Sequence, residues 1–335
     1  MQTTIPLHRV AAVMPFIDHL HQAGAPVERE LRRARLPVLS MGDPDSFIPS
    51  RMYWTFIANA ARHKGMEDLG FRVGLESGAN AADPGLARRL AKSPTLHLAL
   101  ERFCQLASSE ISRVALWLEP ADKKSHRLYY RTSYGSEHPA CVHFQWYGLM
   151  ATMAAIRLFA GQRWQPYEIG LETDRTPSKT IRAYLPDTRF IQGQEKCFIT
   201  LDNRTLAKQP RLEEDEFLSS PRYARIKPPG DFTGTLKLAL RSYLSDGIPS
   251  LELAAEIAGL SSRTLQRRLA DEGLTYRELL DECRYEAAVW LIENTEHNIS
   301  EIASQVGYTD PSHFARAFRR VAGVSPREYR NQYAG

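Results

Sequence analysis

Cysteine is scarce in this chain. The four present (Cys104, Cys141, Cys197, Cys283, among 335 residues) lie far apart and form no C-x-x-C pair. That excludes a zinc ribbon, a thioredoxin-like redox motif and a disulfide framework. Long apolar runs are also missing. The densest, Val10–Ile17 and Leu149–Ile156, are eight residues each, against the roughly 18–20 that a membrane span needs. The opening Met1-Gln2-Thr3-Thr4-Ile5-Pro6 has no basic n-region and no extended apolar h-region. Neither sign of charge dominates: 43 Lys+Arg face 39 Asp+Glu, a net of +4. Catalytic signatures are lacking too, with no G-x-S-x-G elbow, no H-E-x-x-H, no phosphate-cradling glycine loop and no dinucleotide fingerprint. His19 and His21, two apart, splay across a helix and make a poor metal pair. Cys141 and His143 point to different sides of a helix, which argues against a thiol nucleophile there. The expectation is a soluble, cytoplasmic protein with no membrane contact, no metal site, no cofactor and no catalytic centre.

What is present is ordinary globular composition, 43% hydrophobic and 24% charged, in a length that suits two domains. The clearest seam lies over residues 209–232. Lys208-Gln209-Pro210-Arg211, an acidic run at Glu213–Glu216, Ser219-Ser220-Pro221 and Lys227-Pro228-Pro229-Gly230 break both helical and strand periodicity. Residues 1–208 mix element types. Helical patterns run near Val10–His21, Arg51–Arg62, Thr95–Ser108 and Cys141–Ala160, and strand-like stretches are Arg113–Leu118, His126–Thr132, Tyr167–Leu171 and Cys197–Leu201. This predicts an α+β domain. Residues 233–335 read as helix throughout, near Gly234–Ser245, Leu251–Ala258, Ser262–Glu272, Tyr276–Asn294, Ile299–Val306, Pro311–Val321 and Pro326–Gln332. This predicts an all-α domain. Bulk charge misleads about its partner: from Thr233 onward 12 Lys+Arg face 14 Asp+Glu, whereas the upstream part carries 31 against 25.

The helical domain contains an echo of itself. Ala254-Ala255-Glu256-Ile257-Ala258-Gly259-Leu260-Ser261 followed by Arg263–Leu269 is matched by Ile302-Ala303-Ser304-Gln305-Val306-Gly307-Tyr308-Thr309 followed by Ser312–Phe318. Each copy reads as helix, glycine turn, helix. Ser261 and Asp310 stand at N-cap positions, and Pro311 takes a first helical position that needs no N–H. On a helical wheel Leu265 and Leu269 fall roughly opposite Arg263, Gln266 and Arg267, while Phe314, Phe318 and Val321 fall roughly opposite Ser312, Arg316 and Arg319. Each second helix thus buries an apolar edge and presents arginine with short polar side chains. Arginine bonds guanine bidentately and glutamine does the same for adenine, and an α-helix fits the major groove. The connecting helix, about 20 residues long, spans roughly 30 Å, near the 34–36 Å advance of one duplex turn. Its stripe of Leu279, Cys283, Ala287, Trp290 and Leu291 is expected to pack on both copies. Arg319, Arg320, Arg327 and Arg330 cluster near the second copy, where phosphate contact is expected.

The stretch Ile302-Ala303-x4-Gly307-Tyr308-x5-Phe314-x3-Phe318-Arg319-Arg320-x2-Gly323-Val324-Ser325-Pro326-x2-Tyr329-Arg330, with Gly259-Leu260-Ser261-x-Arg263-Thr264-Leu265-Gln266-Arg267, resembles the DNA-binding domain of AraC/XylS-family transcription regulators. The resemblance covers the last hundred residues. It implies a bipartite site on double-stranded promoter DNA. The positions implied are Ser262, Arg263, Gln266 and Arg267 in the first copy, and Pro311, Ser312, His313, Arg316 and Arg319 in the second. Pro311 departs from a polar base-reader and leaves that role to its neighbours. Contact with RNA polymerase, homodimerisation and an activator's role are likewise what the resemblance implies.

Ser93-Pro94-Thr95 with Ala99-Leu100-Glu101-Arg102-Phe103, two strand-like runs and a long helix resemble the N-terminal domain of one AraC subgroup, named arabinose-binding-like. This implies small-molecule sensing or dimerisation. Candidate effector-binding groups are Trp117, His143, Trp146 and Tyr147, aromatic walls with polar tips; the other reading of this aromatic stripe is plain core. Two further functions stay open at this stage: a constitutive dimeric regulator with no ligand, and an enzyme domain fused to a DNA-binding module.

Overall fold

The computed structural model describes residues 3–78, 86–110, 114–132, 137–210 and 228–333. Most of the expected linker, including its acidic run, lies outside them. Two compact units result, and the chain does not divide between them at a single point. One unit holds residues 11–30 and 54–225; the other holds 1–10, 31–53 and 226–335.

The first unit is α+β, as expected. Its sheet has the order β3-β4-β7-β5-β6, with β3 (Val114–Pro120), β4 (Ser125–Thr132), β5 (Glu168–Gly170), β6 (Arg189–Ile191) and β7 (Cys197–Asp202). All neighbours are antiparallel except β5 and β6. The helices of this unit are α1 (Met14–Gln22), α4 (Leu69–Ser77), α5 (Leu86–Ala91), α6 (Leu96–Glu110), α7 (Cys141–Ala160), α8 (Lys179–Tyr184) and α9 (Asn203–Leu206), while α2 (Val27–Arg33) and α3 (Ser50–Ala60) each divide between the two units. Alternation along the strands sends Leu116, Leu128, Cys197, Ile199 and Leu201 into one core with Trp146, Met153, Ile156 and Phe159 of α7. Helix α7 is buried over most of its length, which is why its apolar residues run almost uninterrupted. Two glycines let α4 lie against it: a Cβ on Gly70 would fall 1.8 Å from the His143 carbonyl oxygen, and one on Gly74 2.7 Å from Met150 Cβ.

The second unit is helical with a small two-stranded addition. Strands β1 (Leu7–Arg9) and β2 (Phe47–Pro49) pair antiparallel. The helices are α10 (Phe232–Arg241), α11 (Leu251–Ala258), α12 (Ser262–Asp271), α13 (Tyr276–Asn294), α14 (Ile299–Gln305), α15 (Pro311–Ala322) and α16 (Pro326–Tyr333). The N-terminal segments are tied to this helical set by named bonds. Ile5 N–H donates to Thr235 Oγ1 at 2.9 Å, Ser242 Oγ donates to the Phe47 carbonyl at 2.9 Å, and Tyr243 Oη donates to the Arg35 carbonyl at 3.0 Å. Asp246 accepts from the amides of Val38 and Leu39. Arg35 forms an ion pair with Glu256 on α11 at 3.0 Å.

Candidate nucleic-acid interface

The two helix-turn-helix copies are α11–α12 and α14–α15. In the first, Ser250 caps α11 by accepting from Leu253 N–H. Gly259 ends that helix in the left-handed region at φ +68, where a Cβ would be strained. Ser261 Oγ then accepts from Thr264 N–H at 3.2 Å and starts α12. In the second, Asn298 and Glu301 form a reciprocal capping box at the start of α14. Gly307 turns the chain at φ +78, and Asp310 accepts from Ser312 N–H at 2.7 Å to start α15. The same local chemistry thus builds both turns.

Leu265 and Leu269 are completely buried and Phe314 and Phe318 nearly so, which fixes the outward faces. Arg263, Gln266 and Arg267 are exposed on α12, with Ser262 half-buried beside them. On α15, Pro311, Ser312, His313, Arg316 and Arg319 are all exposed. Arg263, Arg267 and Arg316 make no ion pair among the described residues, so nothing there competes for their charge. His313 Nε2 lies 3.7 Å from Asp310 Oδ2. Arg268 points elsewhere, its guanidinium 3.5 Å from the Phe232 ring centre. The basic cluster around the second copy is partly committed: Arg330 donates to the His297 carbonyl at 2.6 Å, and Arg320 lies 3.9 Å from Asp281.

Two expectations about apolar positions need correction. Val321 was placed on the buried edge of α15 but is 57% exposed; it sits in the last turn of that helix. Trp290 was placed on the buried stripe of α13 but is 38% exposed, with the Arg241 guanidinium 4.7 Å from its ring centre. Leu279, Cys283 and Ala287 are buried as expected.

Sequence reasoning missed Arg284. This arginine of the connecting helix is only 9% exposed. Its Nε donates to the Val306 carbonyl at 2.9 Å and an Nη donates to the Gly307 carbonyl at 3.0 Å. Its guanidinium also stacks 3.4 Å from the Tyr308 ring centre. A single side chain from α13 thereby satisfies the carbonyls at the end of α14 and fixes the second turn to the rod between the copies. The signal available beforehand was its position at the middle of a helix whose other charged residues, Arg277 apart, are acidic.

In the other unit the four candidate effector residues do not converge. Trp146 is core, edge-on to Phe71 and Phe190. Tyr147 packs on Phe16 with ring centres 4.9 Å apart. His143 is buried against α4, and burial lowers its imidazole to about 4, with Asp68 opposing the shift. Trp117 stands on the other face of the sheet, stacked on Tyr129 at 5.2 Å with Lys196 Nζ 5.4 Å from its ring centre. Burial also pushes the Cys104 thiol up to about 12, far from a reactive thiolate. Among the described residues no cluster of three or more His, Cys, Asp or Glu is placed to hold a metal, and no helix is long and apolar enough to cross a membrane.

Mixed sheet-and-helix architecture upstream and twin helix-turn-helix copies downstream define a DNA-binding regulator. Two family models match accordingly: the arabinose-binding domain of AraC transcription regulators, N-terminal, over residues 24–209, and a helix-turn-helix domain over residues 254–332. The chain belongs to the AraC family. Among curated relatives it is similar to the HTH-type transcriptional regulator VirS of Mycobacterium tuberculosis, 27% identical over 97% of this chain and 96% of that protein. The regulator VqsM of Pseudomonas aeruginosa is 40% identical over 90 residues, 27% of this chain, and the match spans only 28% of that relative's length. A solved structure, the regulator CdpR of Pseudomonas aeruginosa, is 20% identical with a TM-score of 0.40, covering 91% of this chain and 96% of that one.

Proposed function

We propose that this protein is a sequence-specific transcription regulator that reads two successive major grooves of promoter DNA, as a homodimer and in the cytoplasm. Its residues 233–335 bind the operator. Its upstream domain responds to a small-molecule effector, and the outcome is activation through contact with RNA polymerase. The observation that carries the reading is the repeated presentation of uncommitted arginine on α12 and α15, which precede and follow a 19-residue helix along the chain. At 1.5 Å per residue that helix is about 29 Å long, which suits adjacent grooves on one side of a duplex. Arg263, Gln266, Arg267 and Arg316 would meet base edges; Ser262, Ser312, His313 and Arg319 would meet base edges or phosphates, and Pro311 would pack against the groove wall. The upstream domain is assigned no catalytic role, in keeping with its buried thiols and the character of its relatives.

Binding of the full chain to promoter fragments tests this. Arg267→Ala and Arg316→Ala should each cost about 1–3 kcal/mol of specific binding per lost bidentate contact. Unchanged discrimination between cognate and scrambled sites would remove them from the reading set. Arg319→Ala should instead lower affinity for all sequences and flatten the salt dependence by about one phosphate contact.

A further inference from the structure

Strand β3 stands at the edge of its sheet and pairs with β4 on one side only. Every second residue of such a strand turns its N–H and C=O away from the ladder. Among the described residues no backbone hydrogen bond reaches β3 from outside β4. The usual protections of an open edge are thin here: the strand is seven residues long, Pro120 closes it, and Glu119 is its one charged residue. Leu116 is buried and Leu118 packs on the same core, both on the α7 side of the sheet. Trp117 stands on the other side, with Ala115 and Glu119.

Charges on that second side are left over. Glu119 lies across from Arg127 in the ladder, but Arg127 turns instead to Glu168 at 3.1 Å, its guanidinium 4.2 Å from the Phe198 ring centre. Glu119 is exposed and makes no ion pair among the described residues. Arg131, across from Ala115, is also exposed. Its guanidinium lies 5.8 Å from the Trp117 ring centre, and it too makes no ion pair among the described residues. Lys196 Nζ adds a second cation 5.4 Å from the same ring. An unanswered carboxylate therefore stands toward one end of β3, and an unanswered cation beside the other.

We infer that β3 pairs edge to edge with β3 of a second copy, and that this is the interface of the homodimer proposed above. The two-fold register that pairs all seven residues is centred on Trp117, which then faces its counterpart. Leu116 lies across from Leu118 of the copy and extends the apolar layer on the α7 side. Ala115 lies across from Glu119 of the copy, and beyond Ala115 stands Arg131. Two strand spacings, about 9.6 Å, separate those two backbones, and only an alanine methyl stands between their long side chains. The two-fold axis makes this contact twice. A closed pair occupies the edge in both copies and leaves no β3 to recruit a third.

The inference rests on the homodimer reading, and not on the effector. Sedimentation of the full chain over a range of concentrations tests it, together with oxidative cross-linking. Trp117→Cys should yield a disulfide-linked dimer, since residues facing each other across an antiparallel pair have Cβ atoms about 4.5–5.5 Å apart. Ala115→Cys alone should not, because its two copies lie about 14 Å apart along the strands; mixed with Glu119→Cys it should. The native cysteines are buried or half-buried, and the unchanged chain serves as the control for them. Glu119→Arg should weaken the dimer about tenfold, two attractions becoming repulsions. Adding Arg131→Glu should restore it, which separates this contact from any with Arg127. Both exchanged residues are exposed, so the charge exchange decides the matter even where Trp117→Cys fails to fold. A dimer that is indifferent to the exchange and does not join at residue 117 overturns the interface and keeps the homodimer. A chain that stays monomeric overturns both, and leaves the edge to a strand from another protein.

Discussion

Arg284 shows how much a single side chain can decide. It is a base-rich group on a helix whose other charged residues are mostly acidic, yet it lies buried and bonded to two carbonyls of the second turn. Arg284→Met keeps the stem and removes the fork. Each lost bond to the charged group should cost about 1.5–3 kcal/mol, read as a lower denaturation midpoint, with protection of the second half-site lost before the first in footprints. His143 carries a second prediction at this scale. Its folded value of about 4 lies below the ordinary 6.5 because burial disfavours the imidazolium. Between those values the unfolded chain binds a proton that the native one refuses, so stability declines as pH is lowered from about 6.5 toward 4 and is fully retained above that window. The slope should amount to about 2–3 kcal/mol across it. Urea unfolding at pH 7 and pH 5 should show the decline, and His143→Gln should reduce it, with His8, likewise lowered to about 4 by burial, contributing over the same window.

Elements were legible where local chemistry and tertiary need agree. Helices α11, α13 and α7 were expected over the residues they occupy: α11 has both a serine cap and a glycine stop, α13 a capping box at Thr275 and Glu278, and α7 a glycine stop at Gly161. The three-residue strands β1, β2 and β6 were not expected, since three residues carry no period and their pairing is set by distant partners. The wheel for α15 identified the buried side correctly at Phe314 and Phe318 but overreached at Val321, because a wheel says which side faces the core and not where the core ends. For the aromatic candidates the limit was different. Trp117 and Trp146 are both aromatic residues of plausible pocket walls, and only the strand alternation that puts Trp117 on the far face of the sheet tells them apart. Glycine contacts yield a prediction at this scale. Gly70→Ala drives a methyl into the His143 carbonyl, a backbone atom that cannot yield without moving α7. The change should destabilise the α+β unit by about 1–3 kcal/mol or more in thermal unfolding, and leave the affinity of the folded protein for DNA unaltered.

For the molecule as a whole, the length of α13 sets a phase. On the proposed function, two reading helices carried by one rod would require their half-sites on the same side of the duplex, about 10–10.5 base pairs apart. Inserting about five base pairs between the half-sites should abolish two-site binding by half a turn of rotation. Gel-shift and footprint titrations would detect this, and equal affinity for both spacings would show that the copies act independently.

The strands and turn contributed by residues 1–10 and 31–53 carry a practical consequence for anyone cutting or grafting this chain. The operator-binding part is assembled from three stretches of sequence, so the polypeptide passes from one unit to the other several times before the proline-rich seam is reached. A fragment beginning at Ile226 would leave Asp246 without the amides it holds and Tyr243 without its carbonyl, and should melt below the intact protein. A chimera joined at the seam would inherit a foreign collar around α10. Exchange of specificity between relatives should therefore succeed only when the first fifty residues travel with the last hundred.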